Sequence, residues 1–145
     1  MCSYCGCEAE PVIEALMADH AWIASRVRAI TRALGQNDTG NVQLLAAELA
    51  EEFGRHAALE EAGLFTQLRE AGEAVDEVER LTVEHRQLAE GFSASVKSGG
   101  DSLGILLAML MRHAQAEDND LFPYAMQMLP NECWEEISRV DRARA

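Results

Sequence analysis

Arg55-His56-Ala57-Ala58-Leu59-Glu60-Glu61-Ala62-Gly63-Leu64-Phe65 returns further along the chain as Arg112-His113-Ala114-Gln115-Ala116-Glu117-Asp118-Asn119-Asp120-Leu121-Phe122. In each copy a histidine and a glutamate stand four residues apart, which places both on one face of an α-helix. Upstream of each copy a lone histidine follows an acidic residue, Asp19-His20 and Glu84-His85. The chain reads as two similar helical hairpins, each offering His and then His-x-x-x-Glu.

Working outward, turn chemistry separates the segments that carry these motifs. Gly35-Gln36-Asn37-Asp38-Thr39-Gly40, Ala71-Gly72 and Ser98-Gly99-Gly100-Asp101 are breaks. They leave four long stretches, 11–34, 41–70, 73–97 and 101–129. Asn41 and Asp101 are the expected N-caps, and Gly35 and Gly99 suit the position just past a helix end. Each stretch has an apolar stripe stepping by three and four. The stripes run Ile13, Leu16, His20, Ile23, Val27, Ile30, Leu34; then Val42, Leu45, Leu49, Phe53, His56, Glu60, Leu64; then Val78, Leu81, His85, Leu88, Phe92. The last runs Leu103, Leu106, Leu110, His113, Glu117, Leu121, Tyr124, Met128. Long helices joined by short connections are antiparallel neighbours. The fold predicted is all-α, an antiparallel up-down-up-down four-helix bundle over 11–129. A short Cys-rich tail precedes it at 1–10. The tail at 130–145 has in Cys133-Trp134-Glu135-Glu136-Ile137 the makings of one more short helix.

Each stripe is defined by its Leu, Ile, Val and Phe residues, and each contains one histidine. Singly, a histidine there is well explained as a core residue satisfied by a hydrogen bond on each ring nitrogen. Jointly, four imidazoles and the carboxylates of Glu60 and Glu117 face one interior, where an unpaired carboxylate is costly. The bland alternative for the glutamates is a seam edge or a salt bridge to Arg55 or Arg112. No Lys or Arg lies on the stripes, and a bound metal supplies the missing charge. Asp19, Glu61, Glu84 and Asp118 point roughly 100° away from their ligand neighbours on a helix. They read as solvated charges, with a smaller chance of orienting a ligand histidine from behind.

This arrangement resembles the hemerythrin-like, or HHE cation-binding, family over nearly the whole chain. The likeness rests on His20, His56-x-x-x-Glu60, His85 and His113-x-x-x-Glu117, with the endings Leu64-Phe65 and Leu121-Phe122-Pro123. It implies two non-haem iron ions, oxo- or hydroxo-bridged, held by those six residues. Imidazole with carboxylate suits iron, manganese or zinc. Two bridging glutamates and four terminal histidines fill about eight of twelve octahedral positions, which leaves room for O2, NO or H2O2. The oxygen carriers of marine invertebrates use five histidines, the extra one on the third helix. Here a turn either side of His85 stand Leu81 and Ala89, and the chain has four histidines in all. Those carriers also use an aspartate five residues after the fourth-helix histidine, where Asp118 stands. Glu117 lies on the inward stripe and follows the HHE pattern. Sensing, weak peroxidase- or catalase-like chemistry, or iron handling without O2 chemistry fits such a site at least as well as oxygen carriage. The Cys-rich start is similar to that of some actinobacterial members.

Composition narrows the partners. Twelve Lys+Arg against 25 Asp+Glu give a net charge of −13. That repels phosphate backbones and anionic lipids, so nucleic-acid and membrane-surface roles are disfavoured. The longest apolar run, 103–111, is too short to cross a bilayer. MCSYCGCEAE lacks the features of a secretion signal, which points to the cytoplasm and to cysteines present as thiols. For Cys2, Cys5 and Cys7 a tail without a role, a metal site completed by Cys133, and thiol redox chemistry all stay open. Tyr124 and Met128 are expected in the core with Trp22, Trp134, Met109, Met111 and Met126, and Pro123 is expected to bend the fourth helix at Asn119.

Overall fold

Proline at the first helical position starts the chain's first helix, α1 (Pro11–Gly35), where its missing N–H is no loss. Asn37, with φ of 54°, then turns the chain. Asp38 caps α2 (39–70) by accepting a 3.2 Å hydrogen bond from the Asn41 backbone N–H. The cap is therefore Asp38 and not Asn41, which lies within the first turn and donates to it. α2 is α-helical over Thr39–Glu60, widens into a π-helical turn at Glu61–Phe65 and resumes at Thr66–Glu70. Gly72 and Ala74 both take positive φ and lead into α3 (Val75–Ser98). α4 (103–128) repeats the plan of α2: α-helix over Leu103–Ala116, a π-turn at Glu117–Leu121, then Phe122–Met128. Extended backbone at Leu129 and the following Pro130 break it, and α5 (Asn131–Arg144) follows.

This computed structural model describes residues 10–98 and 102–144. The proposed roles of Cys2, Cys5, Cys7, Gly99 and Asp101 fall outside them. Among the described residues there are no strands, and no helix is long and apolar enough to cross a membrane.

α1 packs on α2 and α4, α2 on α3, and α3 on α4, closing the antiparallel bundle. α5 lies across the first π-turn and also touches α1 and the α-helical part of α2. The apolar interior comes in two parts. One cluster contains Ile13, Leu16, Leu64, Phe65, Leu68, Leu81, Leu121, Phe122, Trp134 and Ile137. The other contains Ile23, Ile30, Leu49, Phe53, Leu88, Phe92, Leu103 and Leu110. In sequence, the buried histidines and glutamates fall between the two on every helix.

The fourth stripe departs from expectation after Glu117. Tyr124 and Met128 are exposed at the surface, and Phe122, Ala125 and Leu129 are buried in their place. The π-turn inserts one residue beyond the α-helical repeat and so rotates the inward face by one position. Tyr124 instead donates its hydroxyl to the Glu73 carboxylate. Where a bend at Pro123 was expected, the structure widens the helix just before it, which removes the demand on a missing proline N–H.

Candidate metal centre

Four helices each carry one histidine inward at the same level, and all four are nearly fully buried: His20 5% exposed, His56 1%, His85 3% and His113 2%. Glu60 and Glu117, at 1% and 0%, lie among them. His20, His56, Glu60 and Glu117 form one group whose ligand atoms, one from each residue, lie within 4.8 Å of one another. Glu60, His85, His113 and Glu117 form a second, equally tight group. The first group takes its histidines from α1 and α2, the second from α3 and α4, and both share the two glutamates. All six residues singled out in the sequence meet in one place, and the two buried His/Glu clusters are consistent with a binuclear metal site.

The contacts inside the clusters are short but unlike hydrogen bonds. His20 Nε2 lies 3.1 Å from Glu117 Oε1, His85 Nε2 3.1 Å from Glu60 Oε1, His113 Nε2 3.5 Å from Glu117 Oε1 and His56 Nε2 3.7 Å from Glu60 Oε2. None of the four Nε2 atoms and none of the four glutamate oxygens has a hydrogen-bond partner. Buried polar atoms are nearly always paired, so eight unpaired ones converging on one point mark a binding site. Nitrogen and carboxylate oxygen donors without thiolate fit iron, manganese or zinc.

The outer edge of each imidazole is fully engaged. His56 Nδ1 lies 2.8 Å from Asp19 Oδ2, and His85 Nδ1 lies 2.8 Å from Glu61 Oε2. His113 Nδ1 stands 2.8 Å from Glu84 Oε1, and His20 Nδ1 2.7 Å from Asp118 Oδ1. An ionised carboxylate only accepts, so each Nδ1 carries the proton and donates it. The Nε2 lone pair is left facing the centre, in the tautomer a metal requires. The partners run in a ring: α1 supplies the acceptor for α2, α2 for α3, α3 for α4, and α4 for α1.

These four carboxylates were expected mainly as solvated charges. Their signal was adjacency, because a residue 100° round from an inward-facing one points along the seam to the next helix. Arg55 approaches Asp19, and Arg80 pairs with Glu84, so two members are themselves held. Burial would raise the Asp19 pKa, but the His56 hydrogen bond and the nearby His56 and Arg55 charges bring it below the usual value.

Aromatic rings hold the imidazoles from the sides. Phe65 stacks on His85 at 5.4 Å with an interplanar angle of 3°, and Phe122 stacks on His20 at 5.7 Å and 9°. Phe53 meets His85 and His113 edge-on. Without a cation, so much burial is electrostatically unfavourable. Burial and the Glu60 charge push the Glu117 pKa well up, and burial with neighbouring His85 pushes His113 down to about 4.

No curated protein and no solved structure gives a significant match to the chain. The hemerythrin HHE cation binding domain matches residues 12–125, a span that holds all six residues of the centre and the four carboxylates behind them. The chain belongs to the hemerythrin HHE cation-binding domain family.

Proposed function

We propose that this chain is a non-haem di-iron protein that binds or reacts with O2, NO or peroxide in the cytoplasm, in oxidative or nitrosative stress response or sensing. His20 and His56 hold one ion, His85 and His113 the other, and Glu60 and Glu117 are shared between them. The observation that carries this is the set of eight buried donor atoms without hydrogen-bond partners, four histidine nitrogens and four carboxylate oxygens.

A bound iron pair would supply redox and ligand-binding chemistry at a buried site. The chain's own part is to keep each Nε2 deprotonated and aimed, through the Nδ1–H donors to Asp19, Glu61, Glu84 and Asp118. Eight protein donors fall short of about twelve positions for two octahedral ions, so an outside ligand has a place to bind. Phe53, Phe65 and Phe122 line the histidines with apolar surface, which suits a small neutral ligand over a charged one.

Metal analysis of protein purified from iron-replete cells is expected to show about two irons per chain; one zinc, or no metal, defeats the proposal. Rapid mixing of the reduced protein with O2 or NO should then give an optical adduct. Two irons with no adduct would favour an iron-handling module.

A further inference from the structure

α5 lies beyond the residues that match the family, which end at 125. It nonetheless packs on the turn that follows a shared glutamate. Trp134 and Ile137 from α5 share one apolar cluster with Leu64, Phe65 and Leu68 and with Leu121 and Phe122, and the turn that α5 packs on is the first. The seat is Gly63, where an added Cβ would stand 3.1 Å from Ile137 Cγ2 and 3.5 Å from Asp141 Oδ1. A methyl added there would require Ile137 to give by a few tenths of an ångström. Glu60 opens this same turn, and Glu61 within it receives the Nδ1–H of His85 at 2.8 Å.

The second π-turn has the same sequence plan; its Leu121 reaches the same apolar cluster, but no helix seats on its outer face. At the positions of Ala62 and Gly63 it has Asn119 and Asp120, both exposed to solvent. A π-turn departs from the regular hydrogen-bond pattern by one residue and is held in place by its surroundings. Burial under a packed helix raises the cost of opening it, and exposure lowers that cost.

We infer that α5 is a clamp on the metal centre: Ile137 seated on Gly63 holds the turn that carries Glu60 and Glu61, and through Glu61 the His85 imidazole, while the turn that carries Glu117 and Asp118 has no helix seated on its outer face. Ile137 and Gly63 are positioning residues. The two ion positions are then unequal despite their matching ligands, with adjustment to an incoming ligand falling to the Glu117 side. The functional meaning rests on the di-metal proposal; the clamp itself does not.

Hydrogen–deuterium exchange on the metal-free protein tests the clamp directly. The amides of Glu61–Phe65 should exchange at least about tenfold more slowly than those of Glu117–Leu121. Ile137→Ala should abolish that difference by speeding the first set alone, and Ile137→Val should shrink it if the alanine variant folds poorly. Gly63→Ala should speed the same set by less than Ile137→Ala does, and the double variant should be no worse than Ile137→Ala alone, because the shortened side chain makes room for the new methyl. In cobalt(II) titrations, Ile137→Ala should weaken one of two equivalents by about tenfold. The nitrogen-bound proton resonance of His85 should broaden while that of His20 persists. Equal exchange in the two wild-type turns, or equal speeding of both in the variant, overturns the inference. If cobalt(II) fails to bind the wild type, the di-metal proposal falls and the exchange result still decides the clamp.

Discussion

Around Glu60 and around Glu117 the chain makes the same move: histidine, glutamate four positions on, an acidic neighbour, a widened turn, and a phenylalanine stacked on an imidazole. The surroundings differ. The first turn buries Gly63, Leu64 and Phe65, with Gly63 against α5, and Thr66 donates its hydroxyl to the Glu61 carbonyl at 2.7 Å. The second meets solvent at Asn119 and Asp120 and is followed by Pro123, which has no N–H to give. A repeated motif therefore reproduces the ligands and their local geometry, while unrelated packing decides how firmly each copy is held. Ligand identity is local in the sequence; rigidity comes from elsewhere in the chain.

The largest expected effect treats the halves as one. If both clusters bind metal, stripping the loaded protein with a chelator should lower the melting temperature by at least about 10 °C, since a ligand at a hundredfold excess over its Kd stabilises by about 3 kcal/mol per site. An unchanged melting curve would leave a metal-free bundle whose repeat has no common purpose.

Next in size is a change that separates the glutamates. Burial, and after it the charge of Glu60, raises the Glu117 pKa in the metal-free fold. A raised folded-state pKa contributes stability that is complete below the unfolded value, near 4.5, and is lost as pH rises through the folded value. His113 runs the other way: its folded value of about 4 against 6.5 means stability grows between those limits as pH rises. Above about 6.5 the Glu117 cost remains, and His85, whose pKa burial would lower but the Glu60 and Glu61 carboxylates raise, gives up its own contribution as pH rises through its folded value. Glu117→Gln should thus stabilise the metal-free protein by about 1–3 kcal/mol at pH 7 to 8, with the gain fading toward pH 4.5. The same variant should lose most of its metal-dependent stabilisation. Thermal melts at several pH values, with and without metal, check both; a variant less stable than wild type without metal at pH 8 refutes the electrostatic account.

Smaller again are the carboxylates behind the histidines. Asp118→Asn and Glu61→Gln each weaken one Nδ1–H acceptor and should cost about tenfold in affinity for one of the two ions. The halves differ here as well. The turn that α5 does not pack on can readjust around the new side-chain amide, so the Asp118 variant should lose less than the Glu61 variant. Competition titrations against a chelator of known affinity measure both, and a larger loss at Asp118 would reverse the ranking of the two turns.

The bundle, its antiparallel order and the meeting of six residues were legible because periodicity fixes the inward stripe and short breaks fix the neighbours. His20, His56, His85 and His113 needed no tertiary knowledge beyond that. The ring of Asp19, Glu61, Glu84 and Asp118 was only half legible, since a face turned toward an adjacent helix and one turned toward water share the same angle from the core. The π-turns were not legible at all. No residue type demands one, and at Glu61–Phe65 there is no proline to hint at a break. Without them, the rule of three and four carried the fourth stripe onto Tyr124 and Met128, which the structure places outside.

Met128 provides the smallest effect and the cleanest test of that rotation. In an α4 that ran on as unbroken α-helix past Glu117, Met128 would face the core, and Met128→Ala would cost about 2–5 kcal/mol. With one extra residue in the turn, Met128 is 44% exposed while neighbouring Leu129 is 6% exposed and Ala125 fully buried. Met128→Ala should then cost less than about 0.5 kcal/mol, as surface substitutions do. Leu68 occupies the place after the first turn that Ala125 occupies after the second, and it is fully buried. Leu68→Ala is the matched control and should show the full core penalty. Chemical denaturation of the two variants side by side measures the rotation in energy: near-equal losses would mean that the inward face runs straight through the second turn, and that the two halves are not built alike.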